Sequence, residues 1–453
     1  MRRILRWGAA GIGGVFVAAL VALGLWHLFD RTPAPAAVAE TETRFDAGRL
    51  LVLADADMAA TAYADGVLYP IVGAEDAMIV LGGDDLGERQ EIRAPNTVMG
   101  WPGAMTADPD GRFAYVIEGN GMVDRSVEAV PSVWVGVPDG DLLTVIDLAG
   151  GEVLQEMSVC LRPKSVDIAP SGGWLLVACG EADGELAIVP LEDGLPGAVR
   201  RFDLDLPELS ERRRDEGLTY AMVHPSGAAA GVIQSNVGVA LVRFELDEGG
   251  VPVAAEAEDV ALDDGWLSVG RWTREGGHFL VADVAWGPAP TDALFNGPGA
   301  ILSYALDPEG EARGLVSEAV VSKSPEAFEI NRAGDLAVTV NMERTYLPQG
   351  IPLGIAPGRG ASSLSLVTVD GGTGQLETVT EPVGFRGVLP EDAVFDRDGD
   401  HLAVVIYQDH DAPRSDGWVE FFGIEREGAG MRIVPTGERI GLPRGTHDLF
   451  VID

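Results

Sequence analysis

The chain reads as an all-β protein: a seven-bladed β-propeller of four-stranded antiparallel blades, closed by a C-terminal strand that joins the N-terminal blade and preceded by a transmembrane or signal helix. Three observations carry that reading. A lead segment recurs roughly every 58 residues. The two ends of the repeat array are complementary fragments of one unit. Long helical periodicity is absent after the N-terminal apolar run.

The N-terminus comes first. Arg2, Arg3 and Arg6 precede an uncharged run over 8–29, which is long enough to span a bilayer. The arginines favour an inside N-terminus and send the rest of the chain out of the cytoplasm. Ala37-Val38-Ala39 resembles a small-residue cleavage site, although it lies far from the apolar run. An uncleaved anchor and a cleaved signal therefore both stay open. Either puts the folded part on the periplasmic side of a bacterial inner membrane. The expected organisation is 1–30 anchor or signal, 31–47 a flexible tether with Pro33 and Pro35, and 48–453 propeller.

The lead segment combines small or apolar residues, a polar turn with Gly, and a short apolar strand. Its copies are GAMTADPDGRFAYVI (103–117), SVDIAPSGGWLLVA (165–178), YAMVHPSGAAAGVI (220–233), LSVGRWTREGGHFLVA (267–282), AFEINRAGDLAVTV (327–340) and DAVFDRDGDHLAVVI (392–406). Their aligned glycines are Gly111, Gly172, Gly227, Gly276, Gly334 and Gly399. Units of this size need their neighbours to bury their faces, as in propellers and solenoids. Two further strand-like runs follow each lead, for example DLLTVIDL (141–148) and EVLQEMSV (152–159), giving strands A to D. The chain stops at HDLFVID (447–453), a strand A without its unit. It opens, after the tether, at GRLLVLAD (48–55), a strand B without its A. Pairing these two closes the ring and removes the open sheet edges.

Composition restricts the partners. There are 32 basic and 71 acidic residues, for a net charge of −39. Nucleic acid is excluded as a partner, because affinity for it comes from Lys and Arg on phosphates. Self-repulsion and solubility, or steering of a cationic partner, remain.

Strands alternate direction, so the A–B and C–D turns share one face and the B–C and D–A connections share the other. The A–B and C–D turns are short. The B–C connections vary widely, at 56–76, 118–141, 284–298, 342–362 and 408–417. Long loops on a rigid scaffold carry binding, so this loop face is the expected site for a small molecule or an envelope protein. Alignment on the glycines gives one position at the start of each strand A: Gly103, Lys164, Thr219, Ser268, Glu326, Glu391 and Asp448. These should ring the tunnel mouth. Three neighbouring carboxylates, Glu326, Glu391 and Asp448, would share a proton, pair with a cation such as Lys164, bind a hard metal such as calcium, or simply be solvated.

His447 is a candidate acid/base beside that ring, or a hydrogen-bonded strand-end histidine. In MERTYLP (342–348), Arg344 and Tyr346 could grip a ligand carboxylate, or Glu343 and Arg344 could pair to anchor the loop. His410 with Asp409 and Asp411 resembles a cation site only in composition. The two cysteines, Cys160 and Cys179, flank the A–B hairpin of the third blade at one end, so a disulfide is geometrically reasonable; two buried free thiols are the alternative. No c-type haem motif, nucleophile elbow, P-loop, HExxH or dinucleotide fingerprint stands in a fitting context, and no cofactor is implied.

The lead DPDGRFAYV (108–116), repeated in degraded form as HPSGAAAGV (224–232), resembles that of the YVTN-type seven-bladed propellers. These share their fold with 6-phosphogluconolactonase-like proteins and the methylamine dehydrogenase heavy chain. The resemblance covers 48–453 and implies the fold. It also frames three functions: a non-enzymatic envelope binding module, a lactonase-like hydrolase, or the large subunit of a periplasmic dehydrogenase. The His-rich lead of the lactonase-like family is missing, its place being taken by RPKSVDI (162–168).

Overall fold

The structure is a computed structural model that describes residues 21, 32–38, 44–56, 58–59, 69–70, 73–83, 85–97, 101–124, 137–204, 217–262, 265–287, 292–347, 361–379, 381–409, 412, 416–428 and 430–452. Each lead segment folds into a tight A–B hairpin for one physical reason. The amide of the aligned glycine donates to the carbonyl three residues earlier, at 2.8 Å for Gly111 to Asp108 and 2.9 Å for Gly334 to Asn331. That turn leaves the glycine at positive φ, between 64° for Gly111 and 82° for Gly334, where a side chain is strained. In five of the six turns the residue three before the glycine is polar, Ala169 being the exception. Asp108 Oδ1 accepts from the amides of Arg112 and Phe113 at 2.6 and 2.7 Å, and Asp396 Oδ1 from those of Asp400 and His401 at 2.9 and 3.1 Å.

Seven sheets follow, each antiparallel and ordered A-B-C-D from the tunnel outward. Blade 1 is Thr446–Ile452, Arg49–Ala54, Ala77–Gly82 and Glu88–Arg93. The later strands A are Met105–Ala107, Pro163–Ile168, Tyr220–Val223, Leu267–Trp272, Pro325–Ile330 and Ala393–Phe395. The C-terminal strand pairs Phe450 with Leu51 and Leu449 with Val52, closing the ring. Strands B, such as Trp174–Cys179 and Leu336–Asn341, are buried throughout. Apolar clusters bridge neighbouring blades, so each blade's faces are covered by the next.

Strands A also clasp one another sideways. Asp167 Oδ2 accepts the Val223 amide of the next blade at 2.7 Å, and Asp392 Oδ2 accepts the Leu449 amide at 3.0 Å. Asp448 Oδ2 accepts from Gly103 at 3.3 Å. These carboxylates satisfy amides at the rim of sheets that would otherwise face the tunnel unpaired.

Cys160 and Cys179 are joined by a disulfide with a Cα–Cα separation of 6.0 Å, tying the entry to strand A of blade 3 to the end of its strand B. The expected anchor over 1–30 lies outside the described residues apart from Val21. Part of the expected flexible tether is held in place. Pro35 bridges to Gly384, the Ala36 amide donates to the Gly384 carbonyl at 2.8 Å, and Phe45 packs on Phe421 with ring centroids 5.5 Å apart.

Candidate functional site

A β-bulge at the start of strand A sets up the site. In blade 3, Pro163 pairs with Cys179 and Ser165 with Ala178, which leaves Lys164 as the extra residue. In blade 6, Pro325 pairs with Asn341 and Ala327 with Val340, leaving Glu326. Bulges re-aim a side chain out of the regular alternation. In blade 1, Thr446 pairs with Ala54 and Asp448 with Leu53, so the extra residue is His447. The ring position expected for Asp448 therefore belongs to His447, and Asp448 lies one residue deeper. The C-terminal segment ends before any turn glycine, so nothing in it fixed the alignment.

Glu326 and Glu391 are 6% and 2% exposed, and Asp448 is 3% exposed. The solvated alternative for these carboxylates does not hold. The Oε2 of Glu326 is buried without a hydrogen-bond partner. Burial pushes its carboxyl up to about 8. Burial also raises Glu391, and the charges of Glu326, Asp55, Asp448 and Asp392 raise it further. Asp448 is pushed up to about 6 by burial, against hydrogen bonds from Asp392 and Gly103. The blades 6, 7 and 1 thus bring together a set of carboxyl groups that cannot all ionise at neutral pH.

His447 is buried beside them and holds no charge there. Its Nε2 lies 2.7 Å from Asn96 Oδ1, while Asn96 Nδ2 donates to the carbonyls of Ala94 and Ala54 at 2.8 and 3.2 Å. The amide oxygen is thus the acceptor and His447 Nε2 carries the proton. Burial pushes its pKa down to about 3. Lys164 is half-buried and shares a small cleft with Trp101 and Thr97. Among the described residues no group of three or more His, Cys, Asp and Glu is placed to hold a metal ion.

Arg344 and Tyr346 do not meet the acidic group. Arg344 Nη2 donates to the Asn296 carbonyl at 3.2 Å, and the Tyr346 hydroxyl donates to that of Ala293 at 2.5 Å. Both tie the blade 6 loop to the short helix Asp292–Phe295 of blade 5. Burial raises the Tyr346 hydroxyl to about 12. Glu343 bonds Ser363 Oγ at 2.7 Å and Ser322 Oγ, and no bond joins it to Arg344 among those of the described residues. Asp409 pairs with Arg386 at 3.1 Å, and His410 and Asp411 lie outside the described residues.

Two features were not anticipated from the residues. The first is an aromatic cluster on the loop face. Trp286 sits at 6.0 Å from Trp101, 6.2 Å from Trp266 and 5.0 Å from Tyr346, all tilted by about half a right angle. Trp101 and Trp266 stand two residues before the ring positions Gly103 and Ser268, and Trp286 Nε1 donates to Ser324 Oγ, two residues before Glu326, at 3.1 Å. The cluster thus gathers four different connections of the loop face, and Ser324 joins it to the start of strand A of blade 6. A repeated Trp ten residues before Gly111 and Gly276 is the signal that could have found it. The second feature is the tunnel, with a cavity of about 450 Å³ lined by strands A. Inside it Arg271 Nε donates to Glu329 Oε2 at 2.8 Å and Nη1 to the Tyr220 hydroxyl at 2.5 Å. Burial raises Asp167 there to about 6.

Closed seven-fold sheet order, hairpin leads and a carboxyl-lined tunnel mouth define the class: a seven-bladed β-propeller related in fold to the gluconolactonase-like proteins. No family profile matches the chain, and no curated protein matches it. Solved structures do. A periplasmic gluconolactonase of Pseudomonas aeruginosa matches with a TM-score of 0.54 at 14% identity, over 89% of this chain and 99% of that one. A protein of Bacteroides fragilis assigned as a 6-phosphogluconolactonase gives 0.56 at 12% identity, over 90% and 98%. One of Bacteroides uniformis with the same assignment gives 0.55 at 12%, over 89% and 100%. At this identity the likeness is one of fold.

Proposed function

We propose that this chain is an extracytoplasmic propeller that handles a small uncharged ligand on its loop face, with lactonase-like hydrolysis as its chemistry. The observation that carries the reading is Glu326: a carboxyl group with an unpartnered oxygen, held protonated near neutral pH, coupled to Glu391 in the next blade. Such a pair holds both protons at neutral pH and supplies an acid and a base together in the fraction of molecules that has lost one of them, so turnover should rise as the pH rises toward about 8. Water attacks the lactone carbonyl carbon and loses a proton to the ionised member. The ring C–O bond breaks, and the protonated member gives its proton to the departing alkoxide oxygen. The aromatic cluster offers a face for the ligand's apolar side. The acidic surroundings disfavour a phosphorylated substrate. The similar solved structures supply support of fold, and the apolar run over 8–29 supports a location outside the cytoplasm.

A second reading, ligand or partner binding without turnover, has its own observation. The two basic groups nearest to such a role are tied down, His447 to Asn96 and Arg344 to the Asn296 carbonyl. A panel of uncharged lactones separates the readings. Hydrolysis by the wild type that is lost in Glu326→Gln with Glu391→Gln supports the hydrolase. Unchanged turnover in the double variant overturns the assignment to this pair. An inactive wild type that still binds the lactones supports the module.

A further inference from the structure

The loop face is also the end of the molecule from which the N-terminal segment leaves. Strand D of blade 6 ends at Val383–Arg386, where Gly384 pairs with Ser363 and Arg386 with Ala361, the first residues of strand C. The start of strand C is the loop-face end of a blade. Pro35 and Ala36 are fixed to Gly384 at that end, with the Ala34 carbonyl so close that a Cβ on Gly384 would stand 2.4 Å from it. From there the chain crosses the rim towards the other face. Val38 lies against Gly437 in blade 7, and the Asp46 carbonyl accepts from the Arg397 amide, in an A–B turn, at 2.9 Å. Six steps of chain separate Phe29, the end of the apolar run, from Pro35, a reach of at most about 20 Å.

On the loop face Met122, Leu161 and Phe295 are 50%, 41% and 45% exposed, beside the half-buried Trp101, Trp266, Trp286 and Tyr346. Trp and Tyr are the side chains that settle at a membrane–water boundary. Some charges there are paired, Arg162 with Asp139 at 3.9 Å, Arg201 with Glu181 at 2.5 Å and Arg386 with Asp409 at 3.1 Å, while the exposed Glu75, Asp183 and Asp416 have no ion pair among those of the described residues. The opposite face has acid-rich turns such as DPDG, RDGD, DEGG and DPEG beside the uncharged APSGG and HPSG, and Leu195 and Leu246 there are 42% and 37% exposed.

We infer that the loop face rests on a lipid bilayer, held there by the 32–38 strap on blade 6. This rests on the reading of 8–29 as a membrane anchor. Neutral, zwitterionic lipid is the partner that fits, since the net charge of −39 disfavours an anionic surface.

The test uses the full chain in phosphatidylcholine vesicles carrying a headgroup quencher. A thiol dye is placed on Phe295→Cys in the loop face or on Asp110→Cys in the opposite face; the native cysteines are closed in their disulfide. The expected result is strong quenching at 295 and little at 110. Equal quenching, or more at 110, overturns the inference while vesicle flotation shows the anchor intact. A chain that does not float with the vesicles overturns the anchor and the inference together. Gly384→Val should dislodge the strap and abolish the contrast between the two positions with flotation unchanged; a contrast that persists removes the strap from the explanation. Vesicles with anionic lipid should weaken the quenching at 295, and stronger quenching there contradicts the choice of partner.

Discussion

Replacing Glu326 by Gln should make the protein more stable at neutral pH, at the cost of its chemistry. The carboxyl group stands at 4.5 in the unfolded chain and at about 8 in the fold, because burial disfavours the charged form. A group raised in this way costs the fold nothing below about 4.5, an increasing amount as pH rises, and a constant amount above about 8. At pH 7 roughly 2.5 pH units of that range have been crossed, at ~1.36 kcal/mol each, or about 3 kcal/mol. Glutamine keeps the shape and removes the titration, though its own amide inherits a site where Oε2 has no partner. Urea unfolding of both proteins at a series of pH values reads the difference directly. The variant should gain stability at pH 7, gain more at higher pH, and lose the advantage as the pH falls through the ordinary carboxyl range. A variant that is less stable at pH 7, or an advantage that does not change with pH, would refute the reasoning.

Three further outcomes follow from the same coordinates. Cys160→Ser with Cys179→Ser opens a loop spanning a separation of 19 residues and should cost about 3 kcal/mol in urea unfolding, a loss that reductant should reproduce in the wild type. His401→Gln removes the contact between Nδ1 and Asp396 Oδ2 at 2.7 Å, which raises the histidine's pKa; the stability it lends is present below the ordinary histidine pKa and fades as pH rises through the raised value, so wild type and variant should differ in mildly acid solution and converge in alkaline. Trp286→Ala deletes the ring shared by Trp101, Trp266 and Tyr346, and should weaken lactone binding in calorimetry by about tenfold; the ring also packs on Met342, Val388, Leu389 and Tyr407, so the unfolding midpoint should fall as well, and unchanged lactone binding would remove the cluster from the site.

The architecture was legible because six of the seven blades carry their A–B turn in the sequence: a residue that caps the turn in most of them, such as Asp108 or Asn331, a glycine at positive φ, and an apolar strand after it. The same device limited the site. Without a turn glycine the last strand A could not be placed to the residue, and His447 and Asp448 exchanged roles. A bulge leaves no composition cue, so Lys164 and Glu326 were visible as an aligned column but not as residues turned out of the pleat. Nor could the burial of Glu326 and Glu391 be read, since it depends on neighbouring blades distant in sequence. Polar residues within apolar strands A, such as Asp167, Arg271 and Glu329, stand in the lead segments, yet nothing in the sequence marks them as a tunnel lining, and only the structure shows that Arg271 joins Tyr220 to Glu329.

The closed ring depends on one join, since His447 and Asp448 come beside Glu391 only if blade 1 is built from both chain ends. Leu51 and Phe450 are opposite partners across that join. A variant with Leu51→Cys and Phe450→Cys, mildly oxidised while folded, should yield a peptide pair linked through those two positions in mass spectrometry, beside the native Cys160–Cys179 link. Free thiols at both new positions in the folded, oxidised protein would contradict the closed ring and with it the site.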